Sequence, residues 1–182
     1  MAFADASLRI ALAAVFLFAA VSKVHRARAR RDFAATIHSL GPVPERAVPP
    51  VAASVVGAEF VTALLLLDPR LGVHGPAAAV LALTAFTAVV VRSVRRGDRT
   101  ACSCFGRTRE PMGRAHVYRN SILLAMAAGA LGLAAHGRHA FDAEAIAPAI
   151  PLGVFWAFLL ASFTEFFSLI RPRPATRSVD RG

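Results

Sequence analysis

The chain has 182 residues, 56% of them hydrophobic, with a mean hydropathy of +0.54 and 21 Lys and Arg against 11 Asp and Glu. That length suits one compact domain, but the composition is too apolar for an ordinary soluble one. The net charge of +10 is no nucleic-acid signature either, because the arginines flank apolar runs, where they anchor helix ends at a membrane surface. Zinc-finger spacing and RNA-binding signatures are absent, and only one Tyr and one Trp are present to stack on bases.

Crossing a bilayer takes roughly 17–25 helical residues, and five apolar runs are candidates. The first covers residues 8–24 and ends in Ser22-Lys23. Its small residues Ala19-Ala20 give it some likeness to a cleaved signal peptide, but Asp5 precedes it and Arg9 is the one basic residue at its start. Cleavage there would also remove Lys23 from the bundle. A connector reaches to residue 50, and the second run, 51–67, follows Pro49-Pro50 and is interrupted by Glu59. An ionised carboxylate in mid-span costs about 2.5–3.5 kcal/mol on insertion scales, so Glu59 is expected to face the bundle interior with a partner or carry a proton. Lys23, Arg9 and Arg119 are the candidate partners. Glu59 either fixes helix packing through a polar contact or marks a proton or quinone site, and both readings stay open.

The third run, 75–91, is closed by Arg92, Arg95 and Arg96. The fourth, 117–135, opens on Arg119-Asn120, read as a snorkelling anchor and a helix cap, or as residues that hold the cysteine loop against the bundle. The fifth, 147–170, is closed by Arg171-Pro172, with Glu165 placed to pair with Arg171. His25, His38, His74, His136 and His139 fall in connectors or at helix ends and read as solvated. The expected architecture is an all-α, polytopic membrane helical bundle over residues 1–170, with a disordered basic tail at 171–182. Membrane lipid is its immediate partner.

Charge sets the expected topology. If connectors alternate sides, those at 23–50 and 92–119 and the tail after 170 share one side and hold six, eight and four Lys or Arg. The N-terminus and the connectors at 68–74 and 136–146 share the other and hold one each: Arg9, Arg70 and Arg138. The positive-inside rule then places the N-terminus outside and the long connectors in the cytoplasm of a multi-pass inner (plasma) membrane protein.

Cys102 and Cys104, the only cysteines, lie in Ala101-Cys102-Ser103-Cys104-Phe105-Gly106 between the third and fourth runs. Residues two apart are within disulfide reach, but so tight a ring is strained, and strained, exposed disulfides are labile. Neighbouring Arg95, Arg96, Arg99, Arg107 and Arg109 favour thiolate over thiol. One cysteine of such a pair attacks a partner disulfide, and the second resolves the mixed disulfide. Two alternatives stand beside this redox reading. The pair also reads as unreactive thiols in a loop, or as half of a zinc site with His116 as a third ligand, although no second cysteine pair completes that site.

The order Phe18-Ala19-Ala20-Val21-Ser22-Lys23, Phe33, Leu40-Gly41-Pro42-Val43-Pro44, Glu59 before Leu64 to Leu67, Cys102-Ser103-Cys104-Phe105-Gly106 and Arg119-Asn120 resembles the methylamine utilisation MauE family, grouped with DoxX-like membrane proteins. The resemblance covers about residues 8–135, and its most specific part is the Cys-x-Cys-Phe-Gly segment followed by Arg-Asn. It implies a four-helix membrane bundle, to which the fifth run is an addition. It also implies a redox-associated role in maturation, processing or transport of the methylamine dehydrogenase light subunit. Cys102 and Cys104 carry over as the redox pair, and Lys23, Glu59, Arg119 and Asn120 as motif positions without an assigned role.

Three functions compete: a thiol–disulfide accessory protein with a thioredoxin-like or disulfide-bearing partner, a non-catalytic assembly subunit, and a small transport or quinone-binding subunit built on Glu59. A quinone is the one cofactor the sequence leaves open. The family's periplasmic role wants the cysteines outside, whereas the charge count puts them inside, and the charge count is preferred.

Overall fold

A computed structural model of the chain describes residues 2–40, 43–96, 114–137 and 143–170. All five apolar runs are helices: α1 (Ala2–Val24), α3 (Val48–Leu67), α4 (His74–Arg96), α5 (Arg114–Ala135) and α6 (Ala143–Ile170), with a further helix, α2 (Ala27–Leu40), between the first two. No strand occurs among the described residues. In lipid this follows from backbone chemistry: a helix pairs its own N–H and C=O groups, and no water is present to satisfy an extended chain. α1, α4, α5 and the segment Glu45–Leu67 ending in α3 are long and apolar enough to cross a membrane. The fifth apolar helix, α6, is 28 residues long and keeps Pro148 and Pro151 inside its first half.

α2 corrects the expected connector at 23–50. Phe33 and Ile37, one turn apart, bury against Val48 with Ala34, Val43, Ala52 and Val56 around them. Arg28, Arg30 and Arg31 stay exposed. This is an amphipathic helix of 14 residues, too short and too charged to span. α1 also begins six residues before the expected start at residue 8. The reason is local: Asp5 and Arg9, four apart, pair at 2.9 Å, so neither charge ends the helix.

α1 is the central post. Its apolar window is 61% buried, against 17% for the Glu45–Leu67 segment and 22% for α4. It packs most extensively on α6, then on α3 and α5, while α3 and α5 each pack on α4. Leu12 and Phe16 of α1 meet Leu66, Leu83, Leu123 and Leu160 from the surrounding helices. The outward faces carry large apolar side chains, among them Leu81 at 73% and Phe158 at 68% exposure. Apolar surface this extensive requires lipid around it.

Two glycines set close helix approaches. A Cβ at Gly75 would run into the Leu65 carbonyl, and one at Gly153 would lie 2.7 Å from Ile10 Cγ2 and 3.1 Å from the Ala11 backbone nitrogen. Gly153→Leu is therefore expected to push α6 off α1 and to destabilise the protein by about 1–3 kcal/mol. Gly132→Leu, with open space at its Cβ, is expected to be neutral. Thermal denaturation in detergent micelles checks both.

Candidate functional site

The sequence holds one lysine, Lys23, and the structure buries it to 2% exposure at the end of α1. Its ammonium donates to both carboxylate oxygens of Glu59, at 2.6 and 2.8 Å, and to the Ala19 carbonyl at 3.2 Å. The Phe33 ring lies 5.4 Å from the same nitrogen. Of the three candidate partners for Glu59, the helix crossing selects Lys23. Burying such a pair is sustainable because the carboxylate, a backbone carbonyl and an aromatic face together replace the water the ammonium loses.

Arg119 and Asn120 enter from α5, each 1% exposed. Neither takes the anchoring or capping place expected for it. α5 starts at Arg114, so Asn120 sits inside the helix rather than at its cap, and Arg119 is interior rather than snorkelling to the surface. The Arg119 guanidinium donates to Asn120 Oδ1 at 3.5 Å. A guanidinium can only donate, so the amide oxygen turns towards it and the NH2 turns away. Asn120 Nδ2 then finds no hydrogen-bond partner among the described residues, and neither does Ser93 Oγ of α4.

These residues line one cavity of about 570 Å³. Lys23, Glu59, Arg119 and Asn120 form its polar part with Thr36, Ser93, Arg92 and Arg96, while Val15, Phe16, Phe86 and Leu123 contribute to its apolar walls. Ser93 is a site residue that the sequence reading missed. A small serine near an Arg-rich helix end gives no pattern of its own. The four motif positions singled out in sequence, up to 97 residues apart between Lys23 and Asn120, share this single space.

A second buried charge pair lies at the other end of α1, where Arg9 and Asp5 are each 0% exposed. Arg9 also donates from Nη2 to the Gly72 carbonyl at 2.6 Å, tying α1 to the α3–α4 turn. Gly72 has φ 41°, in the left-handed region that suits glycine. Arg9, counted in sequence as a surface charge, is thus part of the bundle interior. His116 is buried in the first turn of α5, while His25, His38, His74 and His136 are exposed. Cys102, Cys104, His139, the Glu165–Arg171 pairing and the tail at 171–182 lie outside the described residues or side chains.

The family model described as methylamine utilisation protein MauE matches residues 1–134. The chain belongs to the MauE family. The MauE match takes in α1 to α4 and α5 to its penultimate residue, and so contains every described residue that gives the cavity its polar side. α6 lies beyond it. No curated protein and no solved structure matches the chain.

The Lys23–Glu59 pair yields a direct test. Glu59→Gln leaves a buried ammonium without its counter-charge and is expected to cost about 3–5 kcal/mol. Replacing both residues together, Lys23→Met with Glu59→Met, is expected to recover most of that loss. Denaturant titration in micelles of Lys23→Met, Glu59→Met and the double variant gives the coupling.

Proposed function

We propose that this MauE-family membrane protein is a thiol–disulfide accessory protein of methylamine utilisation, acting through Cys102 and Cys104 on a protein partner during its maturation. The observation that carries the reading is the convergence of the family-motif residues Lys23, Glu59, Arg119 and Asn120 on one cavity. Arg96, the last residue of α4, lines that cavity, and Cys102 follows it by six residues.

The chemistry balances without a further reactant. The thiolate of one cysteine attacks a sulfur of the partner's disulfide, forming a mixed disulfide and releasing the partner's other thiolate. The second cysteine attacks the mixed disulfide, closes Cys102–Cys104 and frees the partner as a dithiol. Two electrons pass from the pair to the partner, and the reverse sequence oxidises a partner dithiol.

The charge distribution supports a cytoplasmic position for the pair and a thioredoxin-like partner there. Once the buried Lys23, Arg119 and Arg9 are set aside, sixteen Lys or Arg fall on the proposed cytoplasmic side and two on the other. α2 leaves this alternation intact, because it adds a helix without adding a span.

Cys102→Ser and Cys104→Ser are each expected to abolish activity in a maturation assay while leaving the melting temperature unchanged. One of the two is expected to accumulate a mixed disulfide with the partner on a non-reducing gel. Full activity in both variants would overturn the redox reading. After reduction, a membrane-impermeant maleimide is expected to label the cysteines in inverted vesicles and not in whole cells.

A further inference from the structure

We infer that the cavity between α1, α3, α4 and α5 is a binding site for a lipid-soluble amphiphile with an anionic head. The inference goes beyond the thiol chemistry and does not depend on it. Three observations carry it.

The first is charge. The lining residues include four cations, Lys23, Arg92, Arg96 and Arg119, against one carboxylate, Glu59. Glu59 is taken up by Lys23 at 2.6 Å. The net count is positive; Lys23 and Arg119 are buried, where the dielectric is low, while Arg92 and Arg96 are exposed, and the balance favours an anion.

The second is an unused pair of polar groups. Ser93 is 2% exposed and Asn120 is 1% exposed, yet Ser93 Oγ and Asn120 Nδ2 make no hydrogen bond among the described residues. Other hydroxyls of α4 do not behave this way. Thr84 donates to the Val80 carbonyl at 2.7 Å and Thr87 to the Leu83 carbonyl at 2.6 Å, one turn back in each case. A buried polar group left unpaired costs about 1–3 kcal/mol, so two in one cavity call for a ligand that accepts from both. An amide NH2 and a hydroxyl beside guanidinium groups match the oxygens of a carboxylate or a phosphate.

The third is the apolar wall and its access. Val51, Val55 and Val89 line the cavity and are also 37%, 37% and 40% exposed on the membrane-facing surface of α3 and α4. These helices make their close approach at Gly75 and Leu65, far along the chain from these valines. An acyl or isoprenoid tail can therefore enter sideways from the bilayer while the head reaches Ser93 and Asn120.

The test is native mass spectrometry of the full chain, delipidated in a non-ionic detergent and titrated separately with oleate, phosphatidylglycerol, phosphatidylcholine and a short-chain ubiquinone. One oleate or one phosphatidylglycerol per chain is expected, at least ten-fold tighter than phosphatidylcholine or the quinone. Preference between the first two identifies the head as carboxylate or phosphate. Asn120→Leu and Ser93→Ala are each expected to weaken that binding about ten-fold. Arg96→Gln, at an exposed position that leaves the fold intact, is expected to narrow the margin over phosphatidylcholine several-fold. Equal binding of all four probes, tighter binding of the neutral quinone, or anionic binding unchanged in Arg96→Gln would each overturn the inference.

Discussion

A bilayer offers no water to a polar group, so everything polar in this bundle has to be met from within. The structure answers that constraint at both ends of α1. Near its start, Arg9 is shared between Asp5 and the Gly72 carbonyl. Near its end, Lys23 is enclosed by Glu59, the Ala19 carbonyl and the Phe33 ring. Arg9 through Gly72 and Lys23 through Glu59 tie α1 to the α3–α4 turn and to α3, and α1 is the most deeply buried of the four long apolar helices.

The Lys23–Glu59 pair also explains the place of α2. α1 ends at Val24, and α2 then brings Phe33 over the ammonium while Phe33 and Ile37 pack on the first turns of α3. An amphipathic segment thereby lines the cavity with Phe33, Thr36 and Ile37 and keeps its arginines exposed. The consequence for function is a defined space with a cationic, donor-rich end, bordered by the last residue before the segment that carries both cysteines. The proposed thiol chemistry and the proposed amphiphile binding are separate, and either can fail without the other.

The long apolar runs were legible because length, composition and flanking arginines are local signals. Their ends were less so. The start of α1 was hidden because Asp5 and Arg9 look like surface charges until their spacing of four is used. α2 was hidden by its arginines, although Phe33 and Ile37 carry a helical period. Glu59 could be recognised as needing a partner, since a mid-span position alone marks an ionised carboxylate as costly. Which cation meets it depends on how α1 crosses α3, and that is a tertiary property. The same holds for Asn120 and Ser93: an amide and a hydroxyl gain meaning only once the cavity between four helices exists.

The claim on which the rest depends is that the chain's single lysine lies against Glu59 in the bundle interior. A lipid-soluble carbodiimide joins a carboxylate to an amine only when the two are in contact. Treatment of the micellar protein, followed by peptide mass spectrometry, is expected to give one internal amide between Lys23 and Glu59 with loss of one water. Joining of Lys23 to a different carboxylate, or a Glu59 that takes up the reagent while Lys23 stays open to methylation, would contradict the account.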